Sequence, residues 1–135
     1  MRSIPFLVVP VAMALGLTIS ACGSTPDAAP PKNASPEVAA GFALVTQKGC
    51  VACHSVDGAS RTGPTFKGLA GSSVSLTEGG DVNVDDEYLR RAITRPDAEI
   101  RKGYPKAVMA AAVGRGEPLS VEQVDQLVAY IKTLK

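Results

Sequence analysis

The run Cys50-Val51-Ala52-Cys53-His54 constrains this chain more than any other feature. It places a histidine directly after the second of two closely spaced thiols. Sulfurs at this spacing can add to the two vinyl groups on one edge of a porphyrin, and the histidine is then held beneath the iron as an axial ligand. The chain has 1 histidine, so no other imidazole competes for that position. The motif therefore predicts one covalent haem c, attached at Cys50 and Cys53 and ligated by His54.

Two other chemistries use closely spaced cysteines. A dithiol redox site is expected in a βαβ context, for which this chain has no pattern. A structural zinc site needs four Cys or His ligands. The chain has 3 Cys and 1 His, but one of these cysteines, Cys22, is far from the motif in sequence. The haem interpretation is favoured over both.

The composition fits a domain whose core depends on a large apolar cofactor. Hydrophobic residues make up 45% of the 135 residues, but aromatic residues only 4%, and Trp is absent. A haem would be the largest apolar group in a single domain of this size. We therefore expect the protein without haem to be poorly folded. The net charge of +1 argues against binding to nucleic acid.

Residues 1–21 have the pattern of a lipoprotein signal peptide. Arg2 provides a positive start, and an apolar run follows from Ile4 to Ile19. The run ends in Ile19-Ser20-Ala21-Cys22, which resembles a bacterial lipobox and implies cleavage before Cys22 and lipidation of its sulfur. The alternatives are an uncleaved membrane helix and a plain secretory signal, but the apolar run is short for a span and contains prolines. The interpretation is a membrane-anchored lipoprotein of the cell envelope, facing the periplasm or the cell exterior.

Residues 22–35 are predicted to form a flexible tether behind the lipidated cysteine. Pro26, Pro30 and Pro31 lie there among Ala, Ser, Thr and Asn, a composition that cannot bury enough apolar surface to fold. The tether would allow the domain to move close to the membrane surface without entering it. The folded domain is predicted over residues 36–135.

Capping signals predict three helices in this domain. The first begins after Ser35, a good N-cap residue. A second is capped by Asp85 and ends before Pro96. The closing helix begins after Ser120, which forms a capping box with Gln123 and precedes an apolar stripe from Val121 to Leu134.

The segments between these helices are predicted to be loops and one hairpin. Residues from Ser73 to Val84 alternate in a strand-like way, and Gly79-Gly80 in the middle is a signal for a two-residue turn. The stretch between the second helix and the closing helix is predicted to be a loop. The expected fold is mainly α with a small β-hairpin.

Further motifs give the chain a resemblance to the class I c-type cytochromes, from Ser35 to Lys135. The stretch Gly63-Pro64-Thr65-Phe66-Lys67-Gly68-Leu69 is similar to the Gly-Pro-x-Leu-x-Gly-Leu stretch of that family. The hairpin, the run from Asp85 to Ile93 and Gly103-Tyr104-Pro105 resemble the cytochrome domain fused to subunit II of some bacterial cytochrome c oxidases. The resemblance implies three to five helices around one haem, with the first and last helices crossing.

The resemblance also implies roles for four residues near the haem. The Pro64 carbonyl would accept a hydrogen bond from the second ring nitrogen of His54 and orient the imidazole. Phe66 and Leu69 would wall the haem, and Tyr104 would join them at the cofactor. The alternatives are an ordinary Gly-Pro turn at Pro64 and core side chains that touch no haem.

Met109 is implied as the sixth iron ligand, since a thioether suits low-spin iron and raises its reduction potential. Met1 and Met13 would leave with the signal peptide, so Met109 would be the only methionine of the mature chain. The alternative is a gap-filling core methionine. In the related pattern, the tyrosine and the methionine are one residue closer together, and a proline follows the methionine. In this chain Tyr104 and Met109 are further apart and Ala110 stands in place of that proline, so a looser loop is expected.

The function implied is transfer of single electrons in a respiratory chain, with no small-molecule substrate and no enzyme activity of its own. The partner would be a redox protein such as a cytochrome c oxidase or a quinol-oxidising complex. Two alternatives stay open at this point. One is a haem protein with an open sixth site, such as a peroxidase or gas sensor, and the other is a fixed cytochrome subunit of a larger oxidoreductase complex.

Overall fold

A computed structural model of the protein describes residues 30–135. That part of the chain forms five helices and one two-stranded antiparallel sheet, which confirms the predicted mainly α fold with a small hairpin. The elements are α1 (Pro36–Gln47), α2 (Cys50–Cys53), β1 (Ser73–Ser75), β2 (Asp81–Asn83), α3 (Asp86–Thr94), α4 (Val108–Val113) and α5 (Val121–Ile131). No helix among the described residues has both the length and the apolar content to cross a bilayer. The predicted signal peptide and Cys22 lie outside these residues.

The three predicted helix starts are confirmed by side-chain caps. The Ser35 hydroxyl accepts a hydrogen bond from the third amide of its helix at 3.3 Å, and the Asp85 carboxylate does the same at 2.7 Å. Ser120 and Gln123 exchange hydrogen bonds of 3.2 and 3.0 Å, which completes the capping box. Each cap satisfies an amide that has no partner within the helix, so these local signals determine where α1, α3 and α5 begin.

Helices α1 and α5 form the main packing contact of the domain, because a glycine allows their backbones to approach closely. The Gly41 backbone lies directly against the Gln126 carbonyl, and an added Cβ would overlap that group. Beside this contact, the rings of Phe42 and Tyr130 meet edge to face, with centroids 5.7 Å apart and an interplanar angle of 67°. Such edge-to-face pairs are favourable beyond the area they bury.

The apolar stripe of α5 faces the core except at its first residue. Val124, Leu127, Val128 and Ile131 are buried as predicted, but Val121 is 80% exposed. It lies in the first turn, where the helix has not yet reached the core. The buried hydrophobic core consists of Leu44, Val45, Phe66, Leu69, Val74, Leu76, Val84, Tyr88, Leu89, Ile93, Val124, Leu127, Val128, Tyr130 and Ile131.

The hairpin has the predicted position but a wider turn. Strands β1 and β2 pair with Val74 opposite Val82, and the turn covers residues 76–80 rather than two glycines alone. Leu76 is not part of this ladder; it is buried and forms an isolated bridge with Arg101. Gly79 and Gly80 have φ of 93° and 83°, so both need the left-handed freedom of glycine.

The segment before α5 contains a helix, α4, where a loop was predicted. Its N-cap is Ala107, which has φ 68° and ψ −13° in the left-handed region. Ala110, Ala111 and Ala112 then continue the helix, and alanine has the highest helix propensity of any residue. No residue of α4 is buried.

Gly41→Ala should destabilise the holoprotein, because the new Cβ would force α1 and α5 apart. Overpacking of this kind costs about 1–3 kcal/mol. The free energy of unfolding is measured with denaturant. Gly116→Ala is the matched control, since a Cβ there meets nothing within 4 Å. Equal stability of the two variants would contradict the role of Gly41 in the helix crossing.

Candidate functional site

The eight residues predicted from the sequence to contact a cofactor or its iron converge on one cavity. The cavity has a volume of about 560 Å³, within the range of roughly 300–1,000 Å³ typical of ligand sites. Its lining is mainly apolar and comes from the cysteine motif, the loop that follows it, α3, α4 and α5. The eight residues are Cys50, Cys53, His54, Pro64, Phe66, Leu69, Tyr104 and Met109.

The two thiols lie on the single turn of α2. Gly49 is the N-cap of this turn and has φ 71°, a backbone conformation that favours glycine. The spacing of Cys50 and Cys53 puts both sulfurs on the same face of the turn. Both cysteines are free thiols and half-buried. Burial raises the pKa of the Cys50 thiol, so the protonated form dominates at neutral pH.

The imidazole of His54 is held with one nitrogen bonded and the other available. Nδ1 lies 2.7 Å from the Pro64 carbonyl oxygen. A carbonyl only accepts, so Nδ1 carries the proton and donates it, which leaves the lone pair of Nε2 for a metal. Burial lowers the pKa of His54, while the bond to Pro64 opposes this effect. The neutral imidazole, the form that ligates metals, is therefore favoured.

Two backbone hydrogen bonds flank the His54–Pro64 bond and fix the loop that supplies it. The Gly63 amide donates to the Cys53 carbonyl, and the Phe66 amide donates to the Ser55 carbonyl, each at 2.8 Å. A Cβ at Gly63 would lie 2.6–2.9 Å from three atoms of the His54 ring. Only glycine leaves room for the imidazole at this point.

Phe66 has a contact that the sequence reasoning missed. Its ring stacks on the His54 imidazole, with centroids 4.5 Å apart and planes inclined by 11°. Phe66 also lines the cavity, where the resemblance placed it. The available signal was that phenylalanine occupies the first leucine position of the Gly-Pro-x-Leu-x-Gly-Leu stretch. A flat ring there can pack face to face with an imidazole, which a leucine cannot do.

Met109 reaches the cavity from α4, whereas a loop position was expected for it. It is half-buried and is the second residue of that helix. Leu69 is both a core residue, 9% exposed, and part of the cavity lining. Tyr104 is half-buried, with the Arg101 guanidinium 5.7 Å from its ring centroid.

The donor set of the cavity fits a haem c. It combines two thiols on one turn, an imidazole nitrogen free to bind iron and a thioether, all lining one mainly apolar space. These are the groups needed for two thioether links and two axial bonds. Cys50 and Cys53 would hold the porphyrin, and His54 and Met109 would hold its iron.

Comparison with known proteins assigns the family. The family model Cytochrome c matches residues 38–135. No curated protein sequence matches the chain. The chain belongs to the cytochrome c family, whose members bind covalent haem c, and Cys50 and Cys53 stand in the Cys-x-x-Cys-His position. Membership supports haem-based electron transfer and a carrier rather than an enzyme.

Phe66→Leu should leave haem attached but alter the orientation of His54, because leucine provides no flat face for the imidazole. We expect changed g values in the electron paramagnetic resonance spectrum of the ferric protein. We also expect a loss of about 1–2 kcal/mol in the free energy of unfolding. Phe42→Leu is the control, since Phe42 packs on Tyr130 rather than on His54. It should lose stability and keep the g values. Unchanged g values in Phe66→Leu would mean that the stack does not orient the ligand.

Proposed function

We propose that the protein is a lipid-anchored monohaem cytochrome c that carries single electrons in a respiratory chain, to or within a terminal oxidase. The observation that carries the proposal is the meeting of His54 and Met109 in one cavity with both motif thiols. Two protein ligands for one iron leave no position for a substrate. That arrangement favours outer-sphere electron transfer over catalysis.

The side chains of the cavity would each perform one task in this function. A bound haem supplies an iron that gains or loses one electron. Cys50 and Cys53 attach the group permanently, so it cannot dissociate during exchange with a partner. The Pro64 carbonyl keeps His54 in the tautomer that presents Nε2. The apolar lining excludes water and, with a thioether ligand at Met109, favours the ferrous state and a raised potential.

The proposed partner is a redox protein with an acidic docking surface. Arg90 and Arg91 are paired with carboxylates, at 2.7 Å to Asp125 and at 3.2 Å to Glu99, so they contribute little net field. Further along the chain, Arg95, Lys102 and Lys106 are exposed and form no ion pair within residues 30–135.

The last two of these, Lys102 and Lys106, flank Tyr104, which lines the cavity. A basic rim beside a haem site would steer an acidic partner towards it and raise the association rate. Cytochrome c oxidases and quinol-oxidising complexes are the proposed classes of partner. The resemblance of the Asp85–Ile93 run to oxidase-linked cytochrome domains favours the oxidase.

The proposed anchor is a lipid on Cys22, based on the resemblance of Ile19-Ser20-Ala21-Cys22 to a lipobox. The structure describes the tether from residue 30 onwards. This part contains a single turn, in which the Ala34 amide donates to the Pro31 carbonyl at 2.9 Å. The helical domain follows directly from Pro36. A short proline-rich connection of this kind would keep the haem site near the membrane that holds its partner.

Met109→Ala should open the sixth coordination position. The reduced variant should then bind carbon monoxide, whereas the reduced wild type should not, because its thioether blocks the iron. Met109→His is the control, since it keeps two axial ligands. It should exclude carbon monoxide but have a lower reduction potential, because the axial ligand tunes haem over a range of about 0.8 V. The absorption spectrum with and without carbon monoxide provides the measurement.

Carbon monoxide binding by the reduced wild type would contradict the electron-carrier proposal. It would favour the alternative of a peroxidase or gas sensor with an open site. Co-purification with a larger complex after mild detergent extraction would instead point to a fixed subunit.

Cys22→Ser should release the protein from membranes without changing its haem spectrum, because the tether separates the lipid from the cavity. Each buried CH₂ of a lipid chain contributes roughly 0.8 kcal/mol to membrane binding, far more than a domain of near-neutral charge gains from a surface. Fractionation after a salt wash provides the measurement. Retention of the variant in the membrane fraction would show that another feature anchors the protein.

A further inference from the structure

The junction before α4 contains an unusual backbone conformation. Ala107 has φ 68°, and only Asn33 shares a positive φ among the non-glycine residues of the described chain. Alanine is disfavoured in this region because its Cβ crowds the following carbonyl. Ala107 is also the N-cap of α4, and its own side chain provides no cap. Some other interaction must hold the chain in this form.

A carboxylate supplies that interaction. The Ala107 amide donates a hydrogen bond of 2.8 Å to Oδ1 of Asp97. Asp97 follows Pro96 at the end of α3, so the bond closes the segment from residue 97 to residue 107 into a loop. The middle of the same loop is fixed separately, because the Lys102 amide donates to the Ser75 carbonyl at 2.8 Å. The loop is therefore anchored at the hairpin and at the Asp97 carboxylate.

Helix α4 differs from α1, α3 and α5 in the number of its buried residues. It has no buried residue, whereas α1, α3 and α5 each have at least three. The buried core therefore contains no residue of α4, whose Met109 and Val113 line the cavity instead. Met109 is in its first turn, two residues after Ala107. The conformation of Ala107 determines the direction in which α4 leaves the loop.

We propose that Asp97 is a positioning residue for Met109, acting through the amide of Ala107. The inference rests on the proposed role of Met109 as an axial ligand. The left-handed conformation of Ala107 also accommodates the additional residue between Tyr104 and Met109, because it turns the chain sharply and takes up the extra length. The carboxylate stabilises that turn, and the thioether is presented to the cavity.

The test compares Asp97→Ala with Asp97→Asn in the ferric holoprotein. The probe is free imidazole, which displaces a methionine ligand when the segment opens. Loss of this solvent-exposed hydrogen bond should make Asp97→Ala bind imidazole about three- to tenfold more tightly than wild type. Asp97→Asn should stay near wild type, because its amide oxygen still accepts the bond. The near-infrared band of methionine-to-iron ligation should weaken in Asp97→Ala only.

Asp57→Ala is the matched control. Its carboxylate also accepts a hydrogen bond from a backbone amide, that of Ala59 at 2.9 Å, but in the loop after the haem motif. It should bind imidazole as wild type does. A general loss of stability would affect both alanine variants, whereas a positioning role affects Asp97→Ala alone.

The outcomes separate this inference from the proposed function. Absence of the near-infrared band in wild type would overturn the axial role of Met109, and the positioning role with it. A band in wild type, together with equal imidazole affinity in wild type and Asp97→Ala, would overturn the positioning role alone. Equal effects of Asp97→Ala and Asp97→Asn would show that charge, rather than the hydrogen bond, is responsible, and would also overturn it.

Discussion

The hydrogen bond from His54 Nδ1 to the Pro64 carbonyl is the interaction on which the rest of the site depends. At 2.7 Å it selects the tautomer, fixes the plane of the imidazole and leaves Nε2 free for iron. The loop that supplies the carbonyl is in turn held to the motif by backbone hydrogen bonds on either side. Gly63 keeps the backbone close enough for the bond to form, and Phe66 stacks on the ring that it orients.

The domain is built around the cavity rather than around a large aromatic core. With only 4% aromatic residues and no Trp, the side chains alone leave a mainly apolar space of about 560 Å³. A haem in that space would bury apolar surface on the ring and on its walls together, and burial of such surface is the main favourable term in folding. The attachment of haem and the folding of the domain are therefore expected to be coupled. The close contact between α1 and α5 at Gly41 completes the packing of the core.

The parts of the fold that were predictable depend on short-range chemistry. Ser35 and Ser120 cap helices through amides three residues away, and the cysteine motif is contiguous, so both can be recognised in the sequence. Features that arise from tertiary contacts could not be recognised in this way. Ala107, at the start of α4, has a left-handed conformation and donates its amide to Asp97, ten residues earlier, a contact that no local pattern indicates. The stack of Phe66 on the imidazole likewise requires the loop to fold back first.

X-ray absorption at the iron edge identifies the atoms bound to the metal without any mutation, and so tests whether His54 and Met109 both ligate the iron. We expect one sulfur and five nitrogen neighbours in both the ferric and the ferrous protein, since His54 and Met109 would add one nitrogen and one sulfur to the four porphyrin nitrogens. The absence of a sulfur neighbour would contradict the account. An oxygen or a sixth nitrogen in its place would exclude Met109 as the axial ligand.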